Sequence, residues 1–405
     1  MIARDEFDRV RGALPGLREE REAAFARFEA LGVPTRRDEA WRHMDFSAPA
    51  KTTFAYHPER PDIDAGLVDS AMLGKLAGCR LVFVNGHLVH KLSHSDCGGS
   101  LAESLTEAPE LTTVAAQDAF VALNTAFFID GAFVSVEGAR RDPVHLVFVT
   151  TEGSISHPRV LIVVKPGASA KIVEEYVGLG AAPSFSNAVT EIVLGAGAKL
   201  DHTKLQREPV SANHVATIAV RQGRDSRFES HSISLGGART RHDIHVMMDA
   251  EGAECSLDGL YMVRGEQRVD HHTTIDHAKP HTTSRQLYKG ILDGRARGVF
   301  NGRVIVRPDA QKIDAEQSNK NLLLSDEALV NSNPQLEIFA NDVKCKHGSS
   351  IGQLSEDEMF YLRSRGIGEP DARRMLVTAF GEEMIDRLTI DPIRAALACL
   401  MAVHA

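Results

Sequence analysis

Cys345-Lys346-His347 is the triplet whose residue types and spacing best suit metal chemistry. If the apolar run before it continues as a strand, side chains two apart share one face, so the thiol and the imidazole point the same way. Thiolate with imidazole suits zinc or iron better than calcium or magnesium. Alone, the pair supplies two ligands, so a site here is open, or is completed from elsewhere in the chain or from a second chain. The competing reading of a bare C-x-H is a buried structural cysteine beside a surface histidine. Four further histidines, His271, His272, His277 and His281, lie close together and read as groups on a strand wall rather than ligands. His242 and His245, three apart, face opposite ways on a strand. Gly348-Ser349-Ser350-Ile351-Gly352 spells a nucleophile elbow, but that motif acts only at a strand-to-helix turn, and its neighbourhood here reads as β. The chain has neither a phosphate-cradling G-x-x-x-x-G-K-[ST] loop nor a G-x-G-x-x-G after a strand. It is expected to bind no nucleotide and to be no enzyme.

The elements that must position these residues divide the chain in three: a mostly helical piece over 1–125 with a short hairpin, a β core over 126–350, and a helical end over 351–405. Residues 5–31 read as helix, broken at Pro15-Gly16, with Leu17, Ala24, Phe25, Phe28 and Leu31 near one face. Trp41, the sole tryptophan, reads as a core anchor. Asn85-Gly86 inside LVFVNGHLVH marks the hairpin, and residues 110–125 look helical. From about Phe127, short β-branched runs alternate with turns for more than two hundred residues, with no convincing helix between them. Ala170-Lys171-Ile172, Ala198-Lys199-Leu200 and Ser226-Arg227-Phe228 recur every 28 residues, and Cys255-Ser256-Leu257 follows at 29. One coil per repeat is the signature of a β-solenoid. Ser355 with Glu358 forms a capping box, a second helix runs from Pro370 to about Leu388, and a third starts at Asp391-Pro392. The stripe Ala372, Met375, Leu376, Ala379, Phe380 and Met384, with Ile393, Ala396, Leu397, Leu400 and Met401 on the third helix, exceeds what a short tail can wrap internally, which makes it a candidate docking face.

Three stretches carry a family resemblance: NGRVIVRPDAQKIDAEQSNKNLLLS (301–325), NPQLEIFANDVKCKHG (333–348) and FYLRSRGI (360–367). They closely resemble the SufB/SufD family, scaffold components of the SUF iron–sulfur assembly machinery. HHTTIDHAKPHTTSRQLYKGIL (271–292) and Glu39-Ala40-Trp41-Arg42 also look like the family, whereas residues 47–270 resemble it weakly. SufB-like members carry a cysteine where this chain has Asn319 and an acidic residue where it has Gly348, so both departures fit the SufD branch. The resemblance implies a right-handed parallel β-helix between helical ends. It implies a non-catalytic scaffold role in building and passing on a transient iron–sulfur cluster shared with a SufB-like partner, with a possible part in acquiring iron. His347 and Cys345 are then the ligands at the heterodimer interface, His347 the metal-binding one. Met375, Leu376, Ala379 and Phe380 become the face that docks a SufC-like ATPase.

Composition is compatible with this. The net charge of −9 gives no basic field for nucleic acid or an anionic membrane. The start is too charged for a secretory signal and no run of about eighteen apolar residues appears, so a cytoplasmic protein is expected. Five cysteines without C-x-x-C spacing are expected to be reduced. Two other functions fit a β-helix. A carbohydrate-active enzyme of the secreted type needs aromatic platforms, against 6% aromatics here. A SufD-like homodimer acting in iron delivery needs only an interface that accepts itself.

Overall fold

The computed structural model describes residues 4–57, 59, 61–74, 76–94, 98–105 and 118–404. Its centre is a flattened parallel β-solenoid in which alternate strands enter two facing walls. The first wall runs through Arg159–Val164, Phe185–Leu194, Asn213–Gln222, Arg239–Met248, Arg268–His277, Arg297–Val306 and Leu329–Ile338. The second runs through Val144–Thr151, Ser169–Leu179, Lys199–Gln206, Arg227–Ser234, Glu254–Val263, Thr283–Leu292, Ile313–Leu323 and Val343–Gly352. Period-two alternation sends Ile192, Ile218, Ile244 and Ile275 inward from the first wall against Leu200, Phe228 and Leu257 from the second.

Lys199 lies beside Arg227, Arg227 beside Glu254, Glu254 beside Thr283 and Thr283 beside Asp314, so successive coils are 28, 27, 29 and 31 residues long. The repeat length read from the triplets holds to within two residues, because their alignment slips in two of three steps. Ala170 sits beside Leu200 rather than Ala198, and Cys255 beside Phe228 rather than Ser226. Each slip is two residues, which preserves the face each side chain occupies and explains why the pattern survived it. The coil corner needs a left-handed residue, supplied by Gly167, Gly197 and Gly252 and, in one coil, by Asp225 at φ 54°.

The helical ends cover opposite walls. Arg4–Val10 and Arg18–Leu31 are separate helices, as the Pro15-Gly16 break requires. They join Ala119–Phe127 in an aromatic cluster of Phe7, Phe25, Phe46, Phe120 and Phe127 on Phe185 and Val215 of the first wall. Arg21, not Leu31, completes the inner face. Leu31 is exposed, while the Arg21 guanidinium donates to the carbonyls of Pro15 and Phe128 at 2.8 and 2.9 Å. Of the expected helix over 110–125, residues 110–117 lie outside the described residues. The hairpin at Asn85-Gly86 forms, with Phe83 opposite Leu88. Its first strand, Cys79–Val84, pairs in parallel with Val144–Thr151, so the second wall takes strands from both sides of residue 126. Cys79 is disulfide-bonded, which corrects the expectation of five reduced thiols; Cys255, Cys345 and Cys399 are free, and Cys97 lies outside the described residues.

Glu369–Ile385 and Asp391–His404 lie along the second wall. Val377, Met384, Ile385, Ile393, Leu397 and Met401 are buried against Val173, Leu205, Ile233, Leu260, Leu287, Ile291 and Leu322. The tail buries one apolar face on the wall of this chain, which takes up surface that the tail alone was not expected to wrap. No helix among the described residues is long and apolar enough to cross a membrane.

Candidate functional site at the end coil

The last coil leaves two unpaired edges, Leu329–Ile338 and Val343–Gly352. Both carry exposed apolar side chains near or on them: Leu329, Ile338, Phe339 and Ile351. Because the walls are parallel and each strand has one partner missing, this end offers a row of free backbone groups as well as apolar surface.

Cys345 and His347 lie on Val343–Gly352, beside Ala315 and Gln317 of the preceding coil. Their spacing puts both on the inward face, as expected. Cys345 is half-buried against the small cluster of Val304, Val306, Ile313 and Ala315, and burial pushes its thiol up, opposed by a hydrogen bond with the Ala315 backbone. His347 is exposed at the open end. Among the described residues no group of three or more His, Cys, Asp or Glu side chains is gathered to hold a metal. Among the described residues the pair stands as two of the ligands a metal would need.

Asn319, on the inward face of the preceding coil beside Ser349, is fully buried. Its amide donates to the Tyr288 carbonyl at 3.1 Å and accepts from the Asn321 amide at 2.7 Å. It is a structural amide. A Cβ added at Gly348 would meet nothing within 4 Å, so packing does not require glycine there. Ser350 lies within a strand and not at a strand-to-helix turn, which removes the nucleophile-elbow context.

The remaining histidines sort by parity. His242, His271 and His277 point inward, His245 and His272 outward. His277 is held between Thr282 and Ser284 at 2.7 and 2.9 Å, and His272 pairs with Asp270 at 2.9 Å. His281 sits at a corner with φ 57°. Sequence reading missed what the solenoid encloses. Glu174 bonds His202 at 3.0 Å, Lys204 meets His214 at 2.8 Å, and His242 and His271 stack edge to face with centroids 5.7 Å apart. Burial opposes the charged form of Glu174, yet hydrogen bonds from His202, Tyr176 and Thr190 hold it below the usual range. Farther along, Gln317 donates to Gln286 and Gln286 to Thr273, each at 2.6 Å, so polar groups reach the coil on which His347 rests. A buried His or Gln on a strand looks like a surface residue in sequence, and only the register reveals its side.

Of the expected docking residues, Met375 is 48% exposed and Ala379 is exposed, whereas Leu376 and Phe380 are half-buried. Phe380 packs toward the wall, where the Lys289 ammonium lies 4.5 Å over its ring and bonds its carbonyl at 2.8 Å. The preceding helix, Glu356–Ser364, buries none of its residues and exposes Phe360 and Tyr361.

Residues 147–380 match the SufBD core domain of SUF-system iron–sulfur cluster assembly, and residues 9–141 match the SufBD N-terminal region. This chain belongs to the SufB/SufD family. A SufBD-family iron–sulfur cluster assembly protein of Synechocystis is 33% identical over 393 residues, covering 91% of this chain and 86% of the relative. SufD of Escherichia coli is 32% identical over 370 residues, covering 88% and 86%. The chloroplastic protein ABCI7 of Arabidopsis thaliana is 39% identical over 242 residues, covering 59% and 51%. The resemblance read from the end coil thus extends over nearly the whole chain, including the stretch where the sequence alone showed it weakly.

Proposed function

We propose that this chain is a SufD-type scaffold subunit, non-catalytic and cytoplasmic, that completes an iron–sulfur assembly site with a SufB-like partner. The observation that carries the reading is the end coil, where an exposed imidazole and a half-buried thiol share the inward face of an unpaired edge. A paralogous solenoid end laid on Leu329–Ile338 and Val343–Gly352 would pair the free backbone, cover Phe339 and Ile351, and bring further ligands to His347. The cluster is cargo. An imidazole in place of a fourth thiolate, with too few ligands on either chain to close the site, suits a cluster that must be released.

The helical end is assigned to docking a SufC-like ATPase through Met375, Leu376, Ala379 and Phe380. Met375 and Ala379, together with Phe360 and Tyr361, form the solvent-facing part of that surface.

The test is reconstitution of the complex with His347→Ala, Cys345→Ser and Asn319→Ala, counting iron and sulfide and following visible absorption. His347→Ala is expected to form the complex and lose most of its cluster, with Cys345→Ser intermediate because an oxygen ligand is harder than sulfur. Asn319→Ala should keep its iron loading but lose about 1–3 kcal/mol of stability, because it strands the buried Asn321 amide and Tyr288 carbonyl. Equal iron in wild type and His347→Ala would defeat the ligand assignment.

A further inference from the structure

Above the outer face of the first wall lies a cleft of 1090 Å³, closed on one side by residues 39–43 and Asp118. It plays no part in the cluster site, yet it is a built feature. Its floor is made of polar ladders: Thr217, Asp243, His272, Asn301 and Asn333 lie side by side in successive strands, and so do His245, Thr274, Arg303 and Gln335. Its side wall is anchored from below. Buried Arg241 donates to Asp243 at 2.7 and 2.8 Å, to Asp270 at 2.7 Å and to the Ala40 carbonyl at 2.7 Å, and its guanidinium stacks 4.5 Å from the Trp41 ring. The segment Glu39-Ala40-Trp41-Arg42 is thereby held as a fixed lip over the floor.

The chemistry of the cleft narrows its occupant. Arg42, Arg241 and Arg303 are matched in number by Glu39, Asp118 and Asp243, and Arg241 and Arg303 are held by carboxylates, Arg303 by Glu337 at 2.7 and 2.8 Å, so the lining has no net positive charge to draw a phosphate. A sugar would need an open aromatic face, and Trp41 is 4% exposed with Arg241 against it. What the floor offers is half-buried amides, hydroxyls and imidazoles, which match backbone N–H and C=O groups. The volume is at the upper end of small-molecule sites and is enough for several residues of extended chain. The ladders also stop at the unpaired edge strand, at Asn333 and Gln335, and Ile351 of the end coil lines the cleft mouth. A strand added to that edge continues the floor.

We infer that the cleft receives an extended, net-neutral segment of the SufB-like partner, contiguous with the strand that the partner lays on Leu329–Ile338. This rests on the end-coil pairing proposed above. The segment runs across the amide ladders under the lip at 39–43 and makes the interface wider than the two edge strands.

The experiment is hydrogen–deuterium exchange on this chain alone and in complex with the partner, together with the affinity of Asn301→Ala/Asn333→Ala. Protection of residues 39–43 and 297–306 on complex formation is expected, and the double variant, unchanged in melting temperature, should bind the partner about tenfold or more weakly, as two or so lost neutral hydrogen bonds imply. If the double variant unfolds, the exchange data on the wild-type chain decide alone. A wild-type complex that forms while residues 39–43 stay unprotected overturns the inference and leaves the end-coil pairing standing. Failure of the wild-type chains to associate at all removes the pairing itself.

Discussion

Deleting the chain from residue 369 onward is the sharpest test of how the tail and the solenoid depend on each other. The cut removes both helices that lie on the second wall and uncovers Val173, Leu205, Ile233, Leu260, Leu287, Ile291 and Leu322. Full exposure of side chains of this size costs about 1.5–3 kcal/mol each. Only their outer parts become wet, so roughly half of that is a fair share, and seven such residues lose about 5–10 kcal/mol. Whole domains are stable by about 5–15 kcal/mol, so the loss is comparable with all that holds the fold. The two ion pairs from Lys289 to Glu383 at 2.5 Å and from Arg387 to Asp258 at 3.1 Å are lost as well. The truncated chain is therefore expected to melt far below the full chain or to aggregate, and not to persist as an intact β body. Circular dichroism melting with size-exclusion chromatography of residues 1–368 measures this. A cooperative melt within about 5 °C of the full chain, from a monodisperse sample, would refute the reasoning. Partner docking on the tail must accordingly be tested with Met375→Asp on the exposed side, and not by truncation.

Arg241→Met takes the guanidinium from part-buried Asp243 and leaves buried Asp270 with His272 alone, and about 3–5 kcal/mol of stability should disappear from a urea titration; a loss below about 1 kcal/mol would contradict the anchoring of residues 40 and 41. Stability should also fall in acid. Burial lowers His157 and His271 to about 3 and His277 to about 4, so all three are neutral in the fold, while the unfolded chain protonates them below about 6.5. The unfolded state thus binds more protons between those values, and the stabilisation is complete above pH 6.5 and lost as the pH falls, by up to roughly 4 kcal/mol per pH unit for three sites. Urea midpoints that are equal at pH 7 and pH 5 would rule this out.

The fold was legible in sequence because a solenoid repeats one local event. Corner glycines at 167, 197 and 252 and the apolar residues between them recur at nearly constant length, so even a triplet misaligned by two residues came within two of the coil length. The tail was legible as helices but not as a contact surface. Its periodic stripe placed Ala372 and Met384 correctly, yet Val377, Gly381 and Ile385 are the residues that face the wall, a rotation of the stripe that depends on where the wall stands. Gly381 shows the dependence: a Cβ there would meet Met401 at 2.3 Å, so the two helices approach through a position that sequence reading would score as a helix breaker.

The site divides along the same line. That Cys345 and His347 share a face was legible because i, i+2 spacing on a strand is local information. The Arg241 anchor was not, since Ala40, Trp41, Asp243 and Asp270 converge on it from two segments some two hundred residues apart. Position 319 lies between these cases. In sequence it marks only the absence of a thiolate. In the structure the amide is bonded to Tyr288 and Asn321 on the inward face, so the coil beneath the end strand is filled and fixed at that position, which lies beside Ser349 rather than His347.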